Sequence, residues 1–173
     1  PYAARQGPSA MVEAEKNGAE DLNTGGRRTA ATRRSASENL ARKIVERGGT
    51  VSREAMTKAL HLCKVPLQQR HNVAPRGASS VRGMNCGLFV YAERIGISAA
   101  SHRFPWLTRL LALFGRQQHP GFAFTSIQVN VNYASRPHVD RNNLGQSHII
   151  GLGCYTGGEL WVHDEAGNES LAL

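Results

Sequence analysis

The sequence contains no long apolar run. None of its uninterrupted apolar stretches approaches the roughly 18–20 residues that a membrane-spanning helix requires, so no membrane partner is expected. Aromatic residues are scarce too, at 6%, although 40% hydrophobic residues suffice to bury one core in a chain of 173 residues. The three cysteines, Cys63, Cys86 and Cys154, are odd in number and far apart, with no Cys-x-x-Cys pair. That spacing argues against a disulfide framework or a zinc knuckle and favours a reducing, intracellular setting such as cytoplasm or nucleus. The opening residues also lack the charged segment and apolar run of a secretory signal, although the first residue is Pro rather than Met.

Basic charge, by contrast, is plentiful but uneven. The net charge is +8 and the sequence pI about 10.0. Residues 1–83 hold 15 Lys+Arg against 7 Asp+Glu, whereas residues 84–173 hold 6 of each. The excess therefore belongs to a basic arm that precedes an electrically neutral region. Residues 1–36 carry few large apolar side chains, cannot offset the entropy of ordering, and are expected to stay flexible. Arg27, Arg28, Arg33 and Arg34 cluster there. A solvated linker and a phosphate-contacting arm for nucleic acid both fit this cluster, but no aromatic residue is interleaved to stack on bases.

Residues 37–83 read as a helical segment and a loop. Ser37 is a plausible N-cap, with Leu40, Ile44 and Val45 at helical spacing before Gly48-Gly49. A second helix is expected from Ser52, carrying Ala55, Met56, Ala59, Leu60 and Cys63 until Pro66. As a helix-turn-helix reader the pair is weakly supported, because the second helix offers few side chains suited to base edges. Residues 66–87, broken by Pro66, Pro75, Gly77, Gly83 and Gly87, read as loop.

Residues 84–173 look like the folded part. Leu88 to Tyr91 is a short apolar strand. Pro105 to Phe114 is an amphipathic helix with Pro in its first turn and Trp106, Leu107, Leu110, Leu111 and Phe114 as core. Phe122 to Asn132 alternates Thr125, Ile127, Val129 and Val131 with Ser126, Gln128, Asn130 and Asn132. That is strand periodicity with one polar, carboxamide-bearing face, which meets solvent or lines a polar cavity. Gln146 to Tyr155 is expected to be a buried strand. Thr156-Gly157-Gly158 would then turn the chain into a hairpin partner at Glu159 to His163.

Between these strands lies His138-Val139-Asp140. Residues two apart on an extended strand share a face, so His138 and Asp140 can reach one metal ion. Two imidazoles and one carboxylate on one face of an octahedron leave three positions open, a donor set suited to Fe(II). A lone His-x-Asp is weak, since a turn with a solvated His and an Asp cap looks the same. The flanking pattern tips the balance toward a metal half-site.

Thr125 to Glu165 resembles the first half of the catalytic core of the 2-oxoglutarate/iron(II)-dependent oxygenases. The likeness is to the protist and algal branch, and more distantly to the prolyl hydroxylase and nucleic-acid-modifying branches. It is carried by Asn130-x-Asn132, His138-x-Asp140, Asn143-x-Gly145-x-Ser147 and Gly157-Gly158-Glu159-Leu160, and some of it extends back through Pro105 to Phe114. The resemblance implies an α+β chain with a partial double-stranded β-helix (jelly-roll or cupin-like), preceded by helices and the basic segment. It implies a dioxygenase that couples 2-oxoglutarate decarboxylation to hydroxylation or demethylation of an unknown substrate. His138 and Asp140 map onto two iron ligands. Asn130, Asn132, Ser147 and Tyr155 map onto strands facing the cosubstrate pocket, although ordinary strand packing and turn capping would also account for them.

The family pattern also needs a second His and a basic anchor for the distal carboxylate of 2-oxoglutarate. Only 33 residues follow Asp140, and Arg141 is the sole Lys or Arg among them. His148, on the following strand, and His163, at the end of the hairpin, remain; His163 could complete a triad but belongs to a strand too early in the order, and a surface histidine fits it better. The chain is thus expected to be a fragment with weak iron binding and negligible turnover, or else a degenerate member. A non-catalytic basic binding protein on the same scaffold is the competing function.

Overall fold

The structure, a computed structural model, describes residues 25–71, 73–91, 94–138, 145–161 and 170–171. It is a mixed α+β arrangement in which helices back one face of a small, open antiparallel sheet.

Helix α1 (Gly25–Arg47) starts well before Ser37. The Ala- and Arg-rich residues 25–36, expected to be flexible, continue the helix toward the N-terminus because both types are good helix formers; residues 1–24 lie outside the described residues. Gly48 and Gly49 take positive φ (72° and 80°) and end α1. Helix α2 (Arg53–Leu62) follows, with Ser52 as N-cap accepting from the Ala55 amide at 3.1 Å. The turn between them is clasped by Gln117, which donates to the Gly49 carbonyl and accepts from the Val51 amide, both at 2.8 Å.

The span 66–87, expected to be loop, contains β1 (Leu67–Gln68) and most of β2 (Val81–Tyr91). β2 is the organising strand. Its first half pairs antiparallel with β4 (Ser126–Val131), from Arg82 opposite Val131 to Gly87 opposite Ser126. Its second half pairs with β3 (Arg94–Ile97) in a hairpin. The partner switches at Gly87 (φ 107°), where a Cβ would meet the Thr125 carbonyl and lie 2.9 Å from Ser126 Cα. Leu88, Val90, Ile95 and Ile97 on this hairpin are all exposed.

A short helix α3 (Ala99–Arg103) leads into α4 (Pro105–Gln118), which has Pro at N1 as expected. Leu107, Leu110, Leu111 and Phe114 are buried; Trp106 is half-buried with its ring under the Arg109 guanidinium at 4.8 Å. One core cluster joins Ala41 and Ile44 of α1, Met56 and Ala59 of α2, these α4 residues, and Met84, Cys86 and Val129 of the sheet. The buried Ser37 does not cap α1; it donates to the Ala59 carbonyl at 2.8 Å and ties α1 to α2.

Downstream of β4 the expected order departs from the structure. Gln146 to Tyr155 forms no strand and no hairpin with Glu159 to Trp161. Instead β5 (Leu160–Trp161) pairs with β6 (Ser170–Leu171). Residues 145–152 run as a strap over the helices: Ile150 and Leu152 pack against the core, and Arg53 of α2 donates to the Gly151 carbonyl. Glycines at 151, 153, 157 and 158, three with positive φ, interrupt any ladder here. Among the described residues the sheet is open, with no closed jelly roll, and no helix is long and apolar enough to cross a membrane.

Candidate metal half-site

The polar face expected on β4 is present. Ser126, Gln128 and Asn130 are exposed, while Ile127, Val129 and Val131 turn toward the helices. Tyr133 donates from its hydroxyl to Asn130 Oδ1 at 3.0 Å, and Gln128 Nε2 donates to the same oxygen at 3.2 Å. Gly83, opposite Asn130, makes room for these side chains. A Cβ there would lie 3.1 Å from Gln128 Nε2 and 3.4 Å from Asn130 Oδ1.

Asn132, expected on the same face, lies beyond the end of β4. Its φ of 46° is left-handed, a conformation Asn tolerates, and turns the chain out of the ladder. It borders an open cleft of about 380 Å³ together with Tyr133, Val131, Arg82, Val81 and Ser80.

Residues 133–138 then cross to the turn at 71–74, and Arg136 fixes the crossing. Its amide donates to the Val73 carbonyl at 3.0 Å. Its guanidinium donates to Ala74 through Nε and to His71 through Nη2, each at 2.6 Å. The Arg136 carbonyl, held this way, lies 2.7 Å from His138 Nδ1. A carbonyl only accepts, so Nδ1 carries the proton and the lone pair of the neutral ring lies on Nε2. Metal-bound histidines are oriented and assigned their tautomer by this kind of contact. His138 is exposed and outside any strand, so the expected extended-strand geometry does not position it.

Asp140 lies outside the described residues, as do Asn142, Asn143 and His163. Ser147 and Tyr155, expected on a pocket-lining strand, are exposed and in coil; the Tyr155 ring lies against Gly151 and Gly158. His148 packs against His119 and Phe122. Among the described residues no group of three or more His, Cys, Asp or Glu could hold a metal.

The thiols supply no alternative centre among the described residues. Cys63 and Cys86 are buried; burial pushes the Cys63 thiol up to about 11, with Cys86 nearby adding to the rise, and raises Cys86 as well. Both stay protonated at neutral pH and are poor ligands or nucleophiles. Sequence reasoning missed the Arg136 anchor, because Arg136-Pro137 reads only as a turn and the carbonyls it binds lie more than 60 residues away.

No known family model, curated protein or solved structure matches the chain. The family resemblance rests on the motifs themselves.

Proposed function

We propose that the chain forms part of the core of an iron(II)- and 2-oxoglutarate-dependent dioxygenase, the β2–β4 sheet standing at the start of a double-stranded β-helix. The observation that supports the reading is the His138 Nδ1 contact to the Arg136 carbonyl, an orienting contact of the kind that metal-binding histidines make. His138 and Asp140 are two of the ligands in this reading. Bound iron would provide the open coordination positions at which 2-oxoglutarate and O2 meet, so that decarboxylation drives oxidation of a substrate C–H bond.

The chain's own residues do the holding. With its Oδ1 accepting from both Tyr133 and Gln128, Asn130 turns its amide NH₂ into the donor for an incoming carboxylate. Asn132 stands at the rim of the cleft. The substrate class stays open, with the basic N-terminal segment suited to nucleic acid or an acidic protein.

Anaerobic Fe(II) titration of the whole chain, followed by amide resonances, tests this. Paramagnetic broadening is expected around residues 136–140, altered by added 2-oxoglutarate and lost in His138→Ala and in Asp140→Ala. Broadening that ignores both substitutions sinks the proposal. So does the absence of iron binding together with salt-sensitive nucleic-acid binding that both variants retain, the behaviour of a binding protein.

A further inference from the structure

A second pair of imidazoles lies away from His138-x-Asp140, at the C-terminal end of α4. His119 is the C-cap of that helix, its amide bonded to the Gly115 carbonyl at 3.1 Å. His148 comes from the strap at 145–152, 29 residues along the chain, and its ring centroid lies 5.2 Å from that of His119 with the planes at 74°. Phe122 walls one side of both rings, at 5.6 Å from His119 and 5.8 Å from His148, and Phe124 stacks behind it at 6.5 Å. Phe124 is seated on Gly115, where a Cβ would lie 3.3 Å from its ring. The turn carrying His119 is thus packed back on the helix.

We propose that His119 and His148 form a two-imidazole site for a late first-row transition-metal ion of the zinc(II) class, which clasps the strap to the end of α4. The separation suits this. A metal–nitrogen bond of about 2.0–2.1 Å, added to roughly 1.1 Å from nitrogen to ring centre, puts each centroid about 3.2 Å from the ion. Two such rings at a tetrahedral angle have centroids about 5.2 Å apart. Both side chains are exposed, so ring rotation can bring one nitrogen of each onto a common point while water fills the remaining positions.

The helix supplies independent support. α4 ends here after 14 residues, and the C-terminal end of the helix dipole makes this pole negative, favouring a cation. Arg116, on the same last turn, is solvent-exposed and its charge partly opposes this attraction. Imidazole donors without thiolate or carboxylate select zinc(II), copper(II) or nickel(II) over magnesium or calcium.

The site stands whether or not His138 binds iron, and the test keeps the two apart. Zinc(II) is titrated calorimetrically into the full chain carrying His138→Ala and Asp140→Ala, with histidine ring resonances monitored alongside. One ion is expected to bind, shifting the His119 and His148 rings. Adding His119→Ala or His148→Ala should each weaken binding at least tenfold, while magnesium leaves the rings unmoved. Unchanged zinc affinity in either added variant overturns the proposal, as does binding that shifts neither ring. Because both residues are exposed, the variants should keep the wild-type circular dichroism, so lost binding reads as a lost ligand.

Discussion

The Arg136 guanidinium donates through Nε to the carbonyl oxygen of Ala74 at 2.6 Å, pinning the approach to His138 onto a turn 62 residues earlier. With the Nη2 bond to His71, this makes a two-point clamp that only a guanidinium fork can span. Arg136→Lys keeps the charge and loses the fork. Under the proposed dioxygenase reading, iron affinity at His138 should fall about tenfold, in the range seen for outer-shell partners of metal ligands. Stability in urea should drop by about 1–2 kcal/mol. Broadening by Fe(II) at unchanged concentrations in Arg136→Lys would show that the clamp does not orient the ligand.

Helix α4 depends on a cap from another helix. Its N-cap, Phe104, makes no side-chain cap bond, yet Glu38 of α1 accepts from the amides of Trp106 and Leu107 at 3.0 and 2.9 Å. A carboxylate on two orphan amides satisfies the backbone and meets the positive helix pole. Glu38→Ala should cost about 1–2 kcal/mol in equilibrium unfolding, and Glu38→Gln less, since the amide oxygen still accepts. Equal losses in the two variants would place the effect in packing rather than in the cap.

These two anchors also explain what the sequence discloses and what it hides. The body of α4 is legible from the 3.6-residue recurrence of Leu107, Leu110, Leu111 and Phe114, and β4 from strict alternation, because both patterns are local. The first half of β2 is not legible. Gly83 and Gly87 make it read as loop, yet each is required by a neighbour on β4, Gly83 by the Gln128 and Asn130 side chains and Gly87 by the Thr125 backbone. Glu38 and Arg136 act across 62 to 69 residues, so periodicity carries no trace of them. The polar face of β4 was readable, but the path of the strap at 145–152 was not, because its apolar run IIGLG fits a strand as well as a core-packed coil.

The bend at Gly87 is open to a direct check. Its φ of 107° and the closeness of the Thr125–Ser126 backbone leave no space for a β-carbon, and its amide donates to Ser101 Oγ at 2.7 Å. Gly87→Ala should destabilise by about 2–3 kcal/mol, measured by urea unfolding. Gly49→Ala, at a positive φ with open space around it, should cost about 1 kcal/mol. Similar losses at the two sites would mean that strain alone, and not the clash with β4, sets the cost.

The buried thiols predict an alkaline limit to stability. Burial raises the Cys63 thiol from 9.0 to about 11 and raises Cys86 in the same direction. Above the ordinary thiol value the unfolded chain gives up these protons while the folded chain keeps them. The native state then holds more protons than the unfolded one, and stability falls as pH rises. For Cys63 the decline should begin near pH 9 and level off near pH 11. Cys63→Ala, compared with wild type by urea midpoints from pH 7 to 11, should show a shallower alkaline decline even if it starts from lower stability. At pH 8, iodoacetamide should modify the exposed Cys154 first, with Cys63 and Cys86 reacting only after urea opens the core. An alkaline slope identical in wild type and Cys63→Ala would remove Cys63 as its source, and rapid native-state labelling of all three thiols would contradict their burial.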